Sequence, residues 1–359
     1  MNYIKMKIPT ILLSILPISI IIGSSFSLVN LSLLSLYFLF IYFSKNNIKI
    51  EDTKSVLLLF TLYLYLIFNS LISLDISSGI YRNLGFIRFI LFFLMINYLF
   101  FINEKSLNIL KTWSIIFFIV LIDIYIERYT GSNIFGLGKI EIDGVSQDHG
   151  PRVTSFFRNE PIAGAFICGF TFIVLGYILS FLKSSKKLKV LGFIIILVCL
   201  AGIMVTGERS NGLKALIGLL IFISFIDYVK LKNRLFVFLG IIAIFFFLVN
   251  FSDYVKYRYI DQFYSKIKTQ DDRENFINNS LYFKLYKSGF YVFKNNPWFG
   301  VGNKNYRVET CVAKKKSIHK EYWCQTHPHQ VYFEMLSEHG IIGTIIILSI
   351  IFYLIFRII

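Results

Sequence analysis

The sequence predicts an all-α polytopic membrane protein of about ten transmembrane helices, with one large, mostly helical loop domain on the outer side. Three observations predict it. Hydrophobic residues make up 56% of the 359 residues and charged residues only 16%, with a mean hydropathy of +0.65. The apolar residues fall in runs of about 17–22, the length that crosses a bilayer. The basic residues sort to one side of those runs.

The runs lie at about 8–24, 26–43, 55–73, 84–102, 108–126, 161–182, 190–206, 211–229, 235–251 and 340–356. The first runs almost directly into the second and lacks a small-residue cleavage site, so it reads as a span and not a cleaved signal. With the N-terminus in the cytoplasm, the short inner segments hold Lys5 and Lys7; Lys45, Lys49 and Lys54; Lys105 and Lys111; Lys183, Lys186, Lys187 and Lys189; Lys230, Lys232 and Arg234; and Arg357. The two short outer loops, 74–83 and 207–210, carry one basic residue each, Arg82 and Arg209. Every short connection agrees with this orientation.

This divides the chain into a bundle of nine helices over 1–251 with an outer loop at 127–160, a large outer loop domain over 252–329, and an interfacial helix plus the last span over 330–359. The segment 252–329 holds fourteen Lys/Arg against seven Asp/Glu. Long loops escape the charge rule, so this excess fits either a solvated surface or an attraction for an anionic partner. Nothing in the pattern points to nucleic acid.

Four cysteines are present. Cys168 and Cys199 lie within apolar runs and read as small buried hydrophobes. Cys311 and Cys324 lie thirteen apart in the outer loop, where an oxidising compartment would let them close a disulfide, stabilising by about 3 kcal/mol. A zinc site from Cys311, Cys324, His327 and His329 is the alternative, although the spacing fits no common ligand pattern. "FGVGNKN" (299–305) lacks the third glycine and the βαβ setting of a dinucleotide site and reads as a turn.

Intramembrane acids are scarce. Asp123 is the clearest, with Asp75, Asp227 and Glu208 at span ends, which disfavours an ion-coupled transporter. Six cations, Arg82, Arg88, Arg152, Arg158, Arg209 and Lys214, instead fall at the outer ends of their spans. One alone would be a snorkelling side chain; six at one depth suggest a cationic basin. Arginine pairs with phosphate oxygens two at a time, so a polyprenyl-pyrophosphate sugar suits such a basin. In "GERSNG" (207–212), the glycines on either side of Arg209 are expected to let backbone approach the ligand closely.

"HPHQVYFEMLSEHGIIG" (327–343) precedes the last apolar run. His329, Tyr332, Phe333, Leu336, Gly340 and Gly343 fall at helical spacing, as one interfacial helix leading into the span. A neutral histidine at its start could take a proton from a sugar hydroxyl; the bland reading is a polar helix start. His327 and His329 are two apart and should point to different sides, with Pro328 assigning His327 to the preceding loop.

The stretch resembles the signature of the O-antigen ligase and O-antigen polymerase superfamily: a histidine, an amide residue, an aromatic-aliphatic helix, then Glu-x-Gly-x-x-Gly. The match covers His329, Tyr332, Glu338, Gly340 and Gly343, with Pro328 also common there. "RVTSFFRNEPIAGAF" (152–166), "TGERSNG" (206–212) and "NPWFGVGNKNY" (296–306) resemble the family in the same order. Gln330 stands where the family usually has Asn. Where relatives often carry an arginine in the helix before "NPWFGVG", this chain has Lys284 and Lys287, with Arg273 further upstream. One span follows the large loop, against two or three in many relatives.

The resemblance implies a metal-independent, inverting membrane glycosyltransferase, without cofactor, at the periplasmic face of a bacterial inner membrane. Its donor would be an undecaprenyl-pyrophosphate-linked glycan and its acceptor lipid A–core or another glycan. His329 would be the catalytic base. Arg209, with Arg152, Arg158, Arg82 and Arg88, would hold the pyrophosphate, and Gln330, Glu338, Gly340 and Gly343 would support the site. Ligase and polymerase share these motifs; the ligase is the reading preferred here. A flippase or other transporter of lipid-linked oligosaccharide is the alternative from another class, to be expected with pseudo-symmetric halves or broken helices.

Overall fold

The computed structural model describes residues 2–44, 52–102, 106–136, 152–158, 160–181, 186–225, 230–312 and 318–358. Asp227, and residues 137–151 and 159 of the expected outer loop, lie outside them. The regular elements among the described residues are all helices, with no strand. The helices are α1 (Asn2–Ser14), α2 (Leu16–Ile22), α3 (Ser24–Ser44), α4 (Thr53–Leu71), α5 (Ile76–Leu84), α6 (Ile87–Ile102), α7 (Ser106–Thr130), α8 (Ala163–Phe181), α9 (Lys186–Val205), α10 (Arg209–Ser224) and α11 (Leu231–Phe251). Then come α12 (Asp253–Lys256), a π-helical turn (Tyr257–Asp261), α13 (Gln262–Tyr264), α14 (Gln270–Asn279), α15 (Leu281–Asn295), α16 (Tyr306–Cys311) and α17 (Val331–Ile358).

Each expected span overlaps a helix, and among the described residues seven stretches are long and apolar enough to cross a membrane. They are Ser24–Ser44, Thr53–Leu71, Ile76–Phe100, Leu107–Thr130, Ala163–Ser180, Leu231–Phe251 and Val331–Arg357. The other three expected runs are not among these seven. The run 8–24 is interrupted between α1 and α2, where Pro17 stands in the first turn of α2 and lacks the N–H that would continue the ladder. Helix α9, at 20 residues, rises about 30 Å, whereas the 16 residues of α10 rise about 24 Å, less than a hydrocarbon core.

Local chemistry fixes the helix starts. Asp52 accepts from the Ser55 N–H and Asp75 from the Ser77 N–H, each at the N-cap position. Thr269 and Asp272 form a reciprocal capping box on α14.

The chain divides into two compact units, Met1–Leu33 with Asn103–Ser265, and Leu34–Ile102 with Lys266–Ile359. Residues 252–265 of the large loop thus fold with the first unit and the rest with the second. The first unit packs α7 on α8, and α8 on α9 and α10, around Phe117, Leu121, Ile124, Ile167, Leu200 and Ile203. Between such helices the drive is close packing rather than escape from water, since lipid is as apolar as leucine. The second unit packs α17 against α15 and α4, and α4 against α5.

Candidate active site

In the first unit, helix α7 carries Asp123 and Glu127 one turn apart, both 0% exposed. Buried carboxylates need donors, and the chain supplies them from the "RVTSFF" turn. Glu127 accepts the N–H groups of Thr154 (2.9 Å) and Ser155 (2.6 Å). Asp123 accepts the Ser155 hydroxyl (2.5 Å) and the Ile134 N–H (3.0 Å). Ser155 and Arg158 both take left-handed backbone, φ 51° and 58°, which side chains adopt only when surroundings enforce it. The turn is tied onward by the Val153 N–H to the Thr206 carbonyl (3.1 Å). Asp123 and Glu127 thereby set the position of Arg152.

Glu208, also buried, accepts the Gly164 N–H (2.6 Å) and the Asn211 amide (2.5 Å). It therefore caps the start of α8 from another element, where the helix dipole favours an anion. Burial pushes its pKa up, against those hydrogen bonds and the Arg152 charge.

The expectation for the glycines beside Arg209 is corrected. A side chain at Gly207 or Gly212 would run into the Tyr254 or Tyr259 hydroxyl, so both glycines make room for tyrosines and not for a ligand. These tyrosines flank Arg258, a residue the sequence reading missed. Arg258 is 5% exposed; its Nε and Nη2 donate to the Gly207 carbonyl (3.2 and 2.9 Å) and its Nη1 to Gln262 Oε1 (3.0 Å). Burial draws the Arg258 pKa down; Tyr254 opposes that, and the Arg152 and Arg209 charges add to it. Arg152, Arg209 and Arg258 therefore share one electrostatic neighbourhood. The Arg128 guanidinium lies 3.3 Å over the Tyr254 ring.

Two polar atoms in this neighbourhood, Arg152 Nε and the Tyr259 hydroxyl, are buried with no hydrogen-bond partner among the described residues. Unsatisfied buried donors are costly, and an anionic oxygen would satisfy them. Arg209 itself, at the first position of α10, is partly exposed, and Arg158 is exposed.

The other two expected cations, Arg82 and Arg88, belong to the second unit. Arg82 is exposed, in the last turn of α5. Arg88 begins α6, half-buried, with its guanidinium 5.1 Å over the Phe89 ring and its Nε unpartnered among the described residues.

In the second unit, α17 is interrupted. Gly340 sits at φ 63°, ψ −165°, so the evenly spaced helix expected through Gly340 and Gly343 is broken between them. The "NPWFGVG" turn fills the break. The Ile341 and Ile342 N–H groups donate to the Pro297 (2.8 Å) and Trp298 (3.2 Å) carbonyls, while the Val301 and Gly302 N–H groups donate to the Ser337 and Glu338 carbonyls (both 2.9 Å). The orphaned backbone groups on both sides of the break are thus paired. A side chain at Gly340 would run into the Trp298 carbonyl, and one at Gly343 into Tyr65. Glu338, buried, turns its carboxylate to the Tyr306 N–H (3.5 Å).

An amide network anchors this turn within the unit. Asn69, fully buried on α4, donates to the Phe299 carbonyl (2.8 Å) and accepts the Asn303 N–H (3.0 Å), with His339 Nδ1 3.2 Å from its oxygen. Asn83 bonds the Leu66 carbonyl, Ser70 and Asn303. Asn305 holds Asp75 through both backbone groups.

His329 stands just before α17, with φ 55°, a region that histidine tolerates better than most residues. Gln330 caps the helix, its Oε1 accepting the Phe333 N–H (2.8 Å). The two histidines do not point to different sides. Their rings lie 4.1 Å apart, because the left-handed backbone at His329 turns the chain back. Burial pulls the His329 pKa below its usual value, His327 adds to that, and Glu334 opposes it. Neither ring nitrogen of His329 has a hydrogen-bond partner among the described residues. Cys311 and Cys324 are joined as a disulfide, which takes two ligands from the zinc alternative. Among the described residues no group of three or more His, Cys, Asp or Glu could hold a metal ion.

No curated protein matches this sequence. Residues 194–348 match the O-antigen ligase family, a segment a little under half of the chain that carries Arg209, Arg258, the "NPWFGVG" turn, His329 and the break at Gly340. Over this segment the chain is similar to the O-antigen ligase family, and its apolar helices are those of a multi-pass membrane protein.

Proposed function

We propose that the protein is an O-antigen ligase-type transferase that moves a glycan from an undecaprenyl-pyrophosphate donor to a hydroxyl of lipid A–core. His329 takes the acceptor proton on a ring nitrogen. The resulting oxygen attacks the anomeric carbon from the face opposite the leaving group, so the configuration inverts. The bond from that carbon to the pyrophosphate oxygen breaks, and the pyrophosphate leaves with the electron pair. Arg209, Arg152 and Arg158, joined by Arg258, offset the charge that develops on it; Arg82 and Arg88 are further candidates for the same task. Gln330, Glu338, Gly340 and Gly343 keep His329 in place. The donor is already activated, so the reaction needs no nucleotide.

The observation that carries this reading is the cluster of Arg152, Arg209 and Arg258 with two buried donors, Arg152 Nε and the Tyr259 hydroxyl, left without partners. Such a site suits a polyanion, and a pyrophosphate carried on a lipid is one that a membrane enzyme meets. Deletion of the gene followed by gel analysis of lipopolysaccharide tests it. Lipid A–core without any glycan is the outcome expected of a ligase; a single capped repeat would make the enzyme a polymerase, and an unchanged ladder would sink both.

The active face is periplasmic in this reading, supported by the sorting of basic residues. Ser265, exposed beyond α13, reports on it: Ser265→Cys should react with a membrane-impermeant thiol reagent in intact cells. Labelling only after lysis would reverse the orientation.

A further inference from the structure

We propose that Tyr282 and Tyr286 form an aromatic shelf that stacks a pyranose ring of the acceptor glycan beside His329. This rests on the reading of His329 as the acceptor's base. Tyr282, Tyr286 and Gly289 follow one another at i, i+4 and i+7 along α15, so they share one stripe of the helix. That stripe faces the "HPHQ" segment. A side chain at Gly289 would come within 2.9 Å of Pro328 Cβ and 3.1 Å of Phe333 Cβ, so the segment that carries His329 packs directly on the helix backbone.

The rings follow the same line. Tyr282 lies 6.2 Å from His329, the two planes at 89°. Tyr286 lies 6.3 Å from Tyr282 and 5.9 Å from Phe333, at 43° and 31°. Yet Tyr282 remains 57% exposed. The helix buries Leu285, Ser288, Gly289 and Val292, and its packing does not use the open surface of Tyr282.

An exposed tyrosine ring offers an electron-rich face and a polar tip. A pyranose has the complementary form, with a face of polarised C–H groups and a rim of hydroxyls. The tyrosine ring is stiff, so little rotamer freedom is lost when a ligand stacks on it. A sugar resting on Tyr282 presents its rim hydroxyls toward His329, whose ring nitrogens are free among the described residues. A general base needs its proton donor within about 2.6–3.2 Å, and the shelf would hold the acceptor at that range.

The test uses the purified full-length protein with lipid-pyrophosphate-linked glycan as donor. Two acceptors extracted from the deletion strain are supplied in turn, lipid A–core and the lipid-linked single repeat. The one that the wild type glycosylates is the acceptor. Tyr282→Leu should raise the KM for that acceptor about three- to tenfold, the scale of one aromatic contact, and leave the donor KM unchanged. Tyr282→Phe and Tyr282→Trp, which keep the ring face, should stay within twofold of wild type. An unchanged acceptor KM in Tyr282→Leu, or an equal rise in both KM values, would overturn the shelf and mark Tyr282 as an interfacial anchor. If Tyr282→Leu does not fold, a weakened acceptor KM in Tyr282→Phe overturns it instead. Full activity in His329→Asn would remove the base reading while the Tyr282 comparison still stood, and wild-type transfer onto neither acceptor would overturn both.

Discussion

In the first unit, buried acids hold the candidate residues; in the second, neutral amides do. Asp123 grips the Ser155 hydroxyl, and Glu127 and Glu208 grip backbone N–H groups, around Arg152 and Arg209, whereas Asn69, Asn83, Asn303 and Asn305 anchor the turn that fills the break in α17. Clustered guanidinium groups repel one another, and buried carboxylates nearby offset that repulsion while shaping the loop. A histidine that serves as a base must stay neutral. An acid hydrogen-bonded to it would favour the protonated form; at His329 burial, and next the His327 ring, draw the pKa down.

The largest effect that could break this comparison lies at His329. Removing a general base costs about 10²–10⁴-fold in rate, so His329→Asn should fall in that range. Asn is the preferred substitution because it tolerates the left-handed backbone found there. His327→Ala should lose far less, and added chelator should change neither rate. Measured on purified variants, equal losses at the two histidines, or inactivation by chelator, would return the pair to a structural or metal-binding role.

The cations come next. Losing one donor to a developing oxyanion typically costs about 10²–10³-fold in kcat. Arg209→Lys should approach that loss although the charge is kept, because an ammonium cannot pair two phosphate oxygens at once. Arg258 is already committed to the Gly207 carbonyl, so Arg258→Lys should cost activity and also loosen the fold. A thermal melt separates the two: Arg209→Lys melts like wild type, and Arg258→Lys melts earlier. Near-normal transfer in both variants would remove the pyrophosphate assignment.

How much of this the sequence made legible depends on the kind of signal. Helices and their order were readable because bilayer thickness imposes a length on apolar runs. His329, Gln330 and Arg209 stand out as candidates in the sequence because they fall inside short local motifs. Arg258 was not, since it is one of fourteen basic residues in a segment where basic charge carries little topological meaning; the one cue was its place among tyrosines in "YVKYRY", directly after a span. Gly340 was misread for another reason. Its spacing from Leu336 and Gly343 suits a helix, and only the turn at 296–302, nearly forty residues upstream, shows why the helix must open there.

That break gives a stability prediction. Gly340→Ala places a side chain against the Trp298 carbonyl, at a backbone conformation reserved for glycine. The cost should be about 1–3 kcal/mol from the backbone alone, read as earlier unfolding in detergent. Gly136 has a positive φ and no atom of the described residues near a built side chain, so Gly136→Ala should cost less. If the two variants unfold alike, the docked break is not a fixed part of the second unit.

The smallest effect is also the most specific test of His329 as the base. Burial is the main cause that lowers the His329 pKa, and the His327 ring 4.1 Å away is the next. Since the pKa is lowered, His329 loses its proton at a more acid pH than an ordinary histidine. Transfer should therefore rise with pH through a midpoint below 6.5, the usual value for histidine, and stay level above it. His327→Ala removes the like-charged neighbour, so the midpoint of kcat/KM should move upward toward that value, with the plateau rate nearly unchanged. Glu334→Gln removes the one opposing influence and should move it the other way. A midpoint that ignores both substitutions would mean that some other group titrates in the profile, and that the base must be sought elsewhere.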